Sequence, residues 1–139
     1  MIHAPTKTSP ITPSMLYHDA PAAIDWLCRA FGFSRHLVVQ DGETVQHAQL
    51  VFDGGMIMLG SAERSGKPTM MASPRQVGGM GTQAVCVRVD DADAHHAVAV
   101  AEGAEVVLPL MDADYGGRGY SCRDPEGHVR HFGTYDPWA

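Results

Sequence analysis

The sequence predicts an α/β (α+β) fold built from two βαβββ units. Three observations predict it: a strand-and-helix pattern that occurs twice, a constant spacing between the copies, and a Gly- and Pro-rich stretch dividing them. Asp19 and Asp90 open the two helical segments, and Asp53 and Asp124 open two turns; 90 − 19 and 124 − 53 both give 71. A spacing kept from helix start to last hairpin marks a duplicated unit, and a repeat outranks local readings. One unit leaves a sheet face uncovered, so two are expected to pair in a single domain over residues 1–139. The units run from about 10–62 and 82–139.

Residues 14–18 (SMLYH) read as a short strand. A helix follows in DAPAAIDWLCRAFGF: Asp19 suits the N-cap, Pro21 the first turn and Gly32 the stop. Its apolar residues Ala23, Ile24, Leu27, Ala30 and Phe31 recur at helical spacing. GETVQHAQLVFDGGMIMLG reads as a hairpin turning at DGG, in which Ala48, Leu50 and Phe52 alternate with Val45, His47, Gln49 and Val51. Residues 61–81 read as a connecting loop, since their Gly-Gly-Met-Gly has neither the GxGxxG nor the Walker pattern of a phosphate cradle. In QAVCVRVDD, Val85, Val87 and Val89 share one strand face. A second helix is expected from about Ala92 to Glu102, ending at Gly103, and GGRGYSCRDPEGHVRHFG is a second hairpin.

Composition bounds the function. A chain of 139 residues with 45% apolar and 19% charged residues fits one soluble globular domain. Sixteen acidic against ten basic residues, a net charge of −6, argues against nucleic acid as a partner. No apolar run is long enough to span a bilayer, so no membrane is expected. The first 13 residues (MIHAPTKTSPITP) lack the apolar core of a signal peptide, so the cytoplasm is the expected location. Cys28, Cys86 and Cys122 form no CxxC pair and read as reduced structural thiols, although Arg123 beside Cys122 can favour its thiolate.

The stretches YHDAPAAIDWLCRAFGF, HAQLVFDGGMIMLG, VDDADAHHAVAVAEGAEVV and GGRGYSCRDPEGHVRHFGTYDPW resemble the vicinal oxygen chelate superfamily. That superfamily includes glyoxalase I, bleomycin-resistance proteins and extradiol dioxygenases. The resemblance is to a glyoxalase-like branch lacking the usual metal ligands. It implies the glyoxalase/bleomycin resistance/dihydroxybiphenyl dioxygenase fold, in which the strands form a curved mixed-sheet cup with helices outside and ligands within. Metal-using members take one ligand from the first and one from the last strand of each unit. Carried over, those positions fall at Thr12 or Pro13, at Met58 or Leu59, at Ala84 and at His131, and only His131 is a competent ligand. His128 differs from His131 by an odd number and is expected on the opposite face. His95 and His96 are expected to face solvent from the helix. His47 can add at most a second imidazole, and two do not make a catalytic site. No metal and no other cofactor are therefore expected, with a divalent metal as the alternative.

The 71-residue spacing maps His47, Gln49 and Val51 onto Arg118, Tyr120 and Cys122, and fold analogy puts all six in the cup. Arg118 can fork onto a carboxylate, Tyr120 offers a ring and a hydroxyl, and His47 and His131 can donate, accept or shuttle a proton. The expected ligand-binding set is His47, Gln49, Met58, Arg118, Tyr120 and His131. There is no GxSxG, no nucleophile beside a base and no EF-hand loop in DDADAH. The resemblance thus implies a glyoxalase/bleomycin-resistance-like protein that binds a small anionic or aromatic molecule. The alternative is a metal-dependent enzyme, a glyoxalase I-type lyase or an extradiol-type dioxygenase. Relatives commonly pair, so a homodimer is expected.

Overall fold

The computed structural model describes residues 8–64 and 70–139. The expected leaderless start of the chain, as far as residue 7, and residues 65–69 of the expected linker lie outside the described residues.

The chain opens with β1 (Ser14–Tyr17) and α1 (Ala20–Phe31). Helix α1 starts where it does because the Asp19 carboxylate accepts from the Ala22 N–H at 3.2 Å, satisfying a donor that the helix itself leaves unpaired. It stops at Gly32, whose φ of +87° is a left-handed conformation that a side chain would resist. Strands β2 (Ser34–Asp41), β3 (Thr44–Phe52) and β4 (Gly55–Ser61) follow as an antiparallel meander, and β1 adds to β4 in parallel. The sheet order is β1-β4-β3-β2. After a short 3-10 turn at Pro74–Val77 the pattern returns: β5 (Val85–Arg88), α2 (Ala92–Ala101), β6 (Glu105–Asp112), β7 (Arg118–Arg123) and β8 (Val129–Gly133). The second sheet has the order β5-β8-β7-β6. The two orders are the same, so the fold is α+β with two open, four-stranded mixed sheets related by duplication.

Two compact units divide the chain. The first lies within residues 1–28 and 32–73, and the second joins Arg29–Phe31 to Pro74–Ala139. In the first, a row of Cα partners runs Met15, Leu59, Ala48, Val38, and its first three residues are buried. In the second, the corresponding row is Val87, Phe132, Tyr120. Here α2 lies against the sheet: Asp93 and His95 of the helix reach Arg118 and Tyr120 of β7.

The phase of the repeat differs from the spacing of 71. The N-cap of α2 is Asp91, not Asp90: its carboxylate accepts from the Ala94 N–H at 3.0 Å. The caps are thus 91 − 19 = 72 residues apart. One residue of offset exchanges the two faces of a strand. Tyr120 and Cys122 accordingly match buried Ala48 and Leu50, and their expected match to Gln49 and Val51 is corrected. A second phase change lies within β3. Val39 pairs with His47 but Gln40 with Val45, a bulge at Gln46 that turns Val45 into the core rather than onto the face of His47.

Candidate functional site

Each unit presents a polar strand face, and each is described by itself. In the first unit the face opposite Ala48 and Leu50 carries the row Ser14, Met58, Gln49, Leu37. The side-chain alternation of β4 resolves the choice between Met58 and Leu59: Leu59 is in the core and Met58 is half-buried on the polar face. His47 and Gln49, two residues apart on β3, share that face, with Gln49 Nε2 3.0 Å from His47 Nε2. An amide N–H donates, so His47 Nε2 accepts and the ring proton sits on Nδ1.

Arg64, absent from the expected set, joins this face from the chain just after β4. Its Nη1 donates to the Gln46 carbonyl at 3.0 Å, and a Cβ built on Gly60 would lie 2.6 Å from the same Nη1. Gly60 alternates with Leu59, so the guanidinium rests on the polar face over the one residue that leaves room for it. Its position in the Ser-, Pro- and Gly-rich stretch led to a loop reading. The available signal was a glycine ending an apolar strand with a cation four residues on.

In the second unit the face turned away from α2 carries the row Cys86, His131, Ser121, Leu108. The Ser121 hydroxyl and His131 Nδ1 are hydrogen-bonded. Ser121 is buried, and His131 is its only side-chain hydrogen-bond partner among the described residues. If Nδ1 held the proton, the buried hydroxyl hydrogen would have no acceptor, so Ser121 donates and Nε2–H becomes the free edge of the imidazole. His128 lies in the turn before β8, where its N–H donates to Asp124 Oδ1 at 3.1 Å.

Arg118 and Tyr120 are on the helix side instead. Arg118 Nε is 3.1 Å from Asp93 Oδ2 and its Nη1 is 3.3 Å from Asp112 Oδ1, so two carboxylates already engage the fork. Tyr120 is 3% exposed, and its hydroxyl lies 2.6 Å from His95 Nδ1. His95 is therefore not a solvent-facing helix residue. Its Nε2 is 2.9 Å from the Phe31 carbonyl, and its ring lies 4.2 Å from that of Phe132. A carbonyl only accepts, so Nε2 carries the proton and Nδ1 accepts from Tyr120. Burial, partly offset by the Phe31 bond, lowers the His95 pKa and keeps it neutral. Burial also pushes the Tyr120 hydroxyl well above its ordinary range, and raises the Cys122 thiol to about 12 despite nearby Arg130. Cys122 is thus inert, whereas Cys86 is exposed rather than part of a core.

This duplicated fold belongs to a class that is shared widely, and the sequence specifies which. The pattern of the Glyoxalase/Bleomycin resistance protein/Dioxygenase superfamily matches residues 12–132, and the chain belongs to that family. It is 35% identical to TioX from Micromonospora sp. ML1, whose crystal structure aligns with a TM-score of 0.69 over 90% of this chain and 97% of that one. It is also similar to a glyoxalase/bleomycin resistance protein from Streptomyces sp. CB03234, at 22% identity, TM-score 0.67 and coverage of 90% and 99%. Protein PA1353 from Pseudomonas aeruginosa aligns at 17% identity, TM-score 0.67 and coverage of 91% and 97%. These last two show the fold alone. No curated protein matches the chain.

Some members of the family hold a divalent metal, so the donors available here bear on that chemistry. The polar face of the first unit offers Ser14, Met58, Gln49 and His47, and that of the second Cys86, Ser121 and His131. A hydroxyl and a thioether are poor ligands for zinc, iron or manganese. Among the described residues no three or more His, Cys, Asp or Glu side chains gather to hold an ion. A catalytic site wants at least three protein ligands, and the donors of neither unit, taken by itself, fit one.

Proposed function

We propose that the protein binds a small anionic or aromatic molecule on its polar sheet faces, without a metal and without a catalysed reaction. One observation carries this reading: each unit holds an imidazole with one nitrogen engaged by a neighbour on the same face and the other free to meet a ligand, His47 by Gln49 and His131 by Ser121. Met58 and Gln49 add apolar and amide contacts beside His47. A few convergent polar groups on an apolar ground are what small-molecule sites offer. Arg118 and Tyr120 fasten α2 in this reading and leave the ligand set. The poor metal donors weigh against the glyoxalase-type or dioxygenase-type alternative.

A thermal-shift screen of aromatic acids, antibiotics and thiol adducts tests the proposal. Hits are expected to bind about tenfold more weakly to His131→Ala or His47→Ala, the ~1.4 kcal/mol of one lost hydrogen bond. Hits that bind both variants as tightly as the wild type would contradict it. We further propose a homodimer, supported by exposed Leu37 and Val39 on β2 and Leu108 and Met111 on β6. Light scattering at micromolar concentration should give twice the chain mass; a single chain mass would exclude it. No described helix is long and apolar enough to cross a membrane. The free thiols support a reducing location such as the cytoplasm; export of the native protein to the periplasm or medium, seen on fractionation, would refute that.

A further inference from the structure

Resting on the reading of the first unit's polar face as a ligand face, we infer that Arg64 is the anion anchor of that face and that the group it takes is a carboxylate or similar oxyanion. A guanidinium has five N–H donors in a fixed fork. Arg64 spends one on the Gln46 carbonyl, and among the described residues it meets no carboxylate. Arg29, Arg35, Arg88, Arg118, Arg123 and Arg130 have acidic partners; Arg75, which like Arg64 has none among the described residues, is exposed in the turn Pro74–Val77 and lies on no strand face. Arg64 is half-buried, and its one bond fixes Nη1 beside Gly60. That bond places the cation next to His47, the neighbour of Gln46 on β3, and on the face of Met58.

The chemistry of the cluster is complementary to one ligand class. The guanidinium supplies charge and two parallel donors, which fit the two oxygens of a carboxylate. His47, with Nε2 engaged by Gln49, turns Nδ1–H to the ligand as a further donor. Met58, on the Gln49 row, offers apolar surface for the body of an aromatic acid. Gly60 is part of the device, because a Cβ there would meet the flexible guanidinium at 2.6 Å and displace it, while pressing less severely, at 3.3 Å, on the Gln46 carbonyl of β3.

Benzoate and its uncharged analogue benzamide, titrated calorimetrically and by protein NMR, test this. Benzoate is expected to bind at least tenfold more tightly than benzamide and to shift Met58 and His47 signals. Arg64→Ala should abolish that preference, and Arg64→Lys should restore it only in part because the fork is lost. Gly60→Ala should weaken benzoate by moving the guanidinium, with only a small fall in melting temperature from the crowded Gln46 carbonyl. Equal binding of the two probes at these residues, unaffected by Arg64→Ala, would overturn the anchor and leave the ligand face standing. Failure of both probes to perturb either residue would overturn the ligand face itself.

Discussion

Asp124→Ala is expected to cost about 3–5 kcal/mol of folding stability, the range for removing one partner of a buried ion pair. Asp124 Oδ2 lies 2.8 Å from Arg130 Nη1, and both side chains are 0% exposed. The other carboxylate oxygen accepts from the N–H groups of Glu126 and His128, so the same side chain shapes the turn into β8. The turn also needs Gly127, whose φ is +100°. Arg130 is held from a second side by the Phe31 ring, 5.5 Å from its Cζ. Without Asp124 its charge would remain in a low-dielectric site. Arg130→Met should cost less when Asp124→Asn is present than alone, since the pair is then removed together. Urea unfolding measures all three; a loss below about 1 kcal/mol for Asp124→Ala, the value of an exposed pair, would show that the pair is solvated.

The next largest loss is expected at Tyr120. Truncation to Ala should cost about 3–5 kcal/mol, as for other buried aromatics, which distinguishes a core residue from a ligand contact. Tyr120→Phe keeps the ring but leaves His95 Nδ1 without its donor, at about 1–2 kcal/mol. The same contact makes stability depend on pH. The folded His95 pKa is below the unfolded value near 6.5, so under that value the unfolded chain binds the extra proton. The contribution is complete above pH 6.5 and is lost as pH falls through the lower folded value. Wild-type urea midpoints should therefore drop between pH 7.5 and 5.5 by more than those of His95→Gln. Equal drops would remove His95 from the account.

The duplication was legible because strand alternation, N-cap aspartates and stop glycines are local signals, and both units repeat them. Its phase was not. Asp90 and Asp91 are both competent caps, and only the Ala94 hydrogen bond selects Asp91. That one residue decides whether Tyr120 belongs with His47 or with the core. The Gln46 bulge is equally silent, since Val45 alternates correctly with Ala48 only once it is known. His95 reads as a solvent-facing helix residue because burial of an imidazole depends on partners distant in sequence: Phe31 is 64 residues from His95. His131 was legible as an imidazole on the last strand, but Ser121, which orients it, lies on another strand. Arg64 was missed because a Gly- and Ser-rich segment gives no periodicity to place a side chain on a face.

Elemental analysis of the protein, purified and dialysed without chelator, tests most directly whether it is a metal-independent binder. With no cluster of three or more metal-ligating side chains among the described residues, zinc, iron, nickel and manganese are expected far below one per chain, with no change in His131→Ala. One transition metal per chain, lost in His131→Ala, would contradict the account and return the protein to the metal-dependent enzymes of its family.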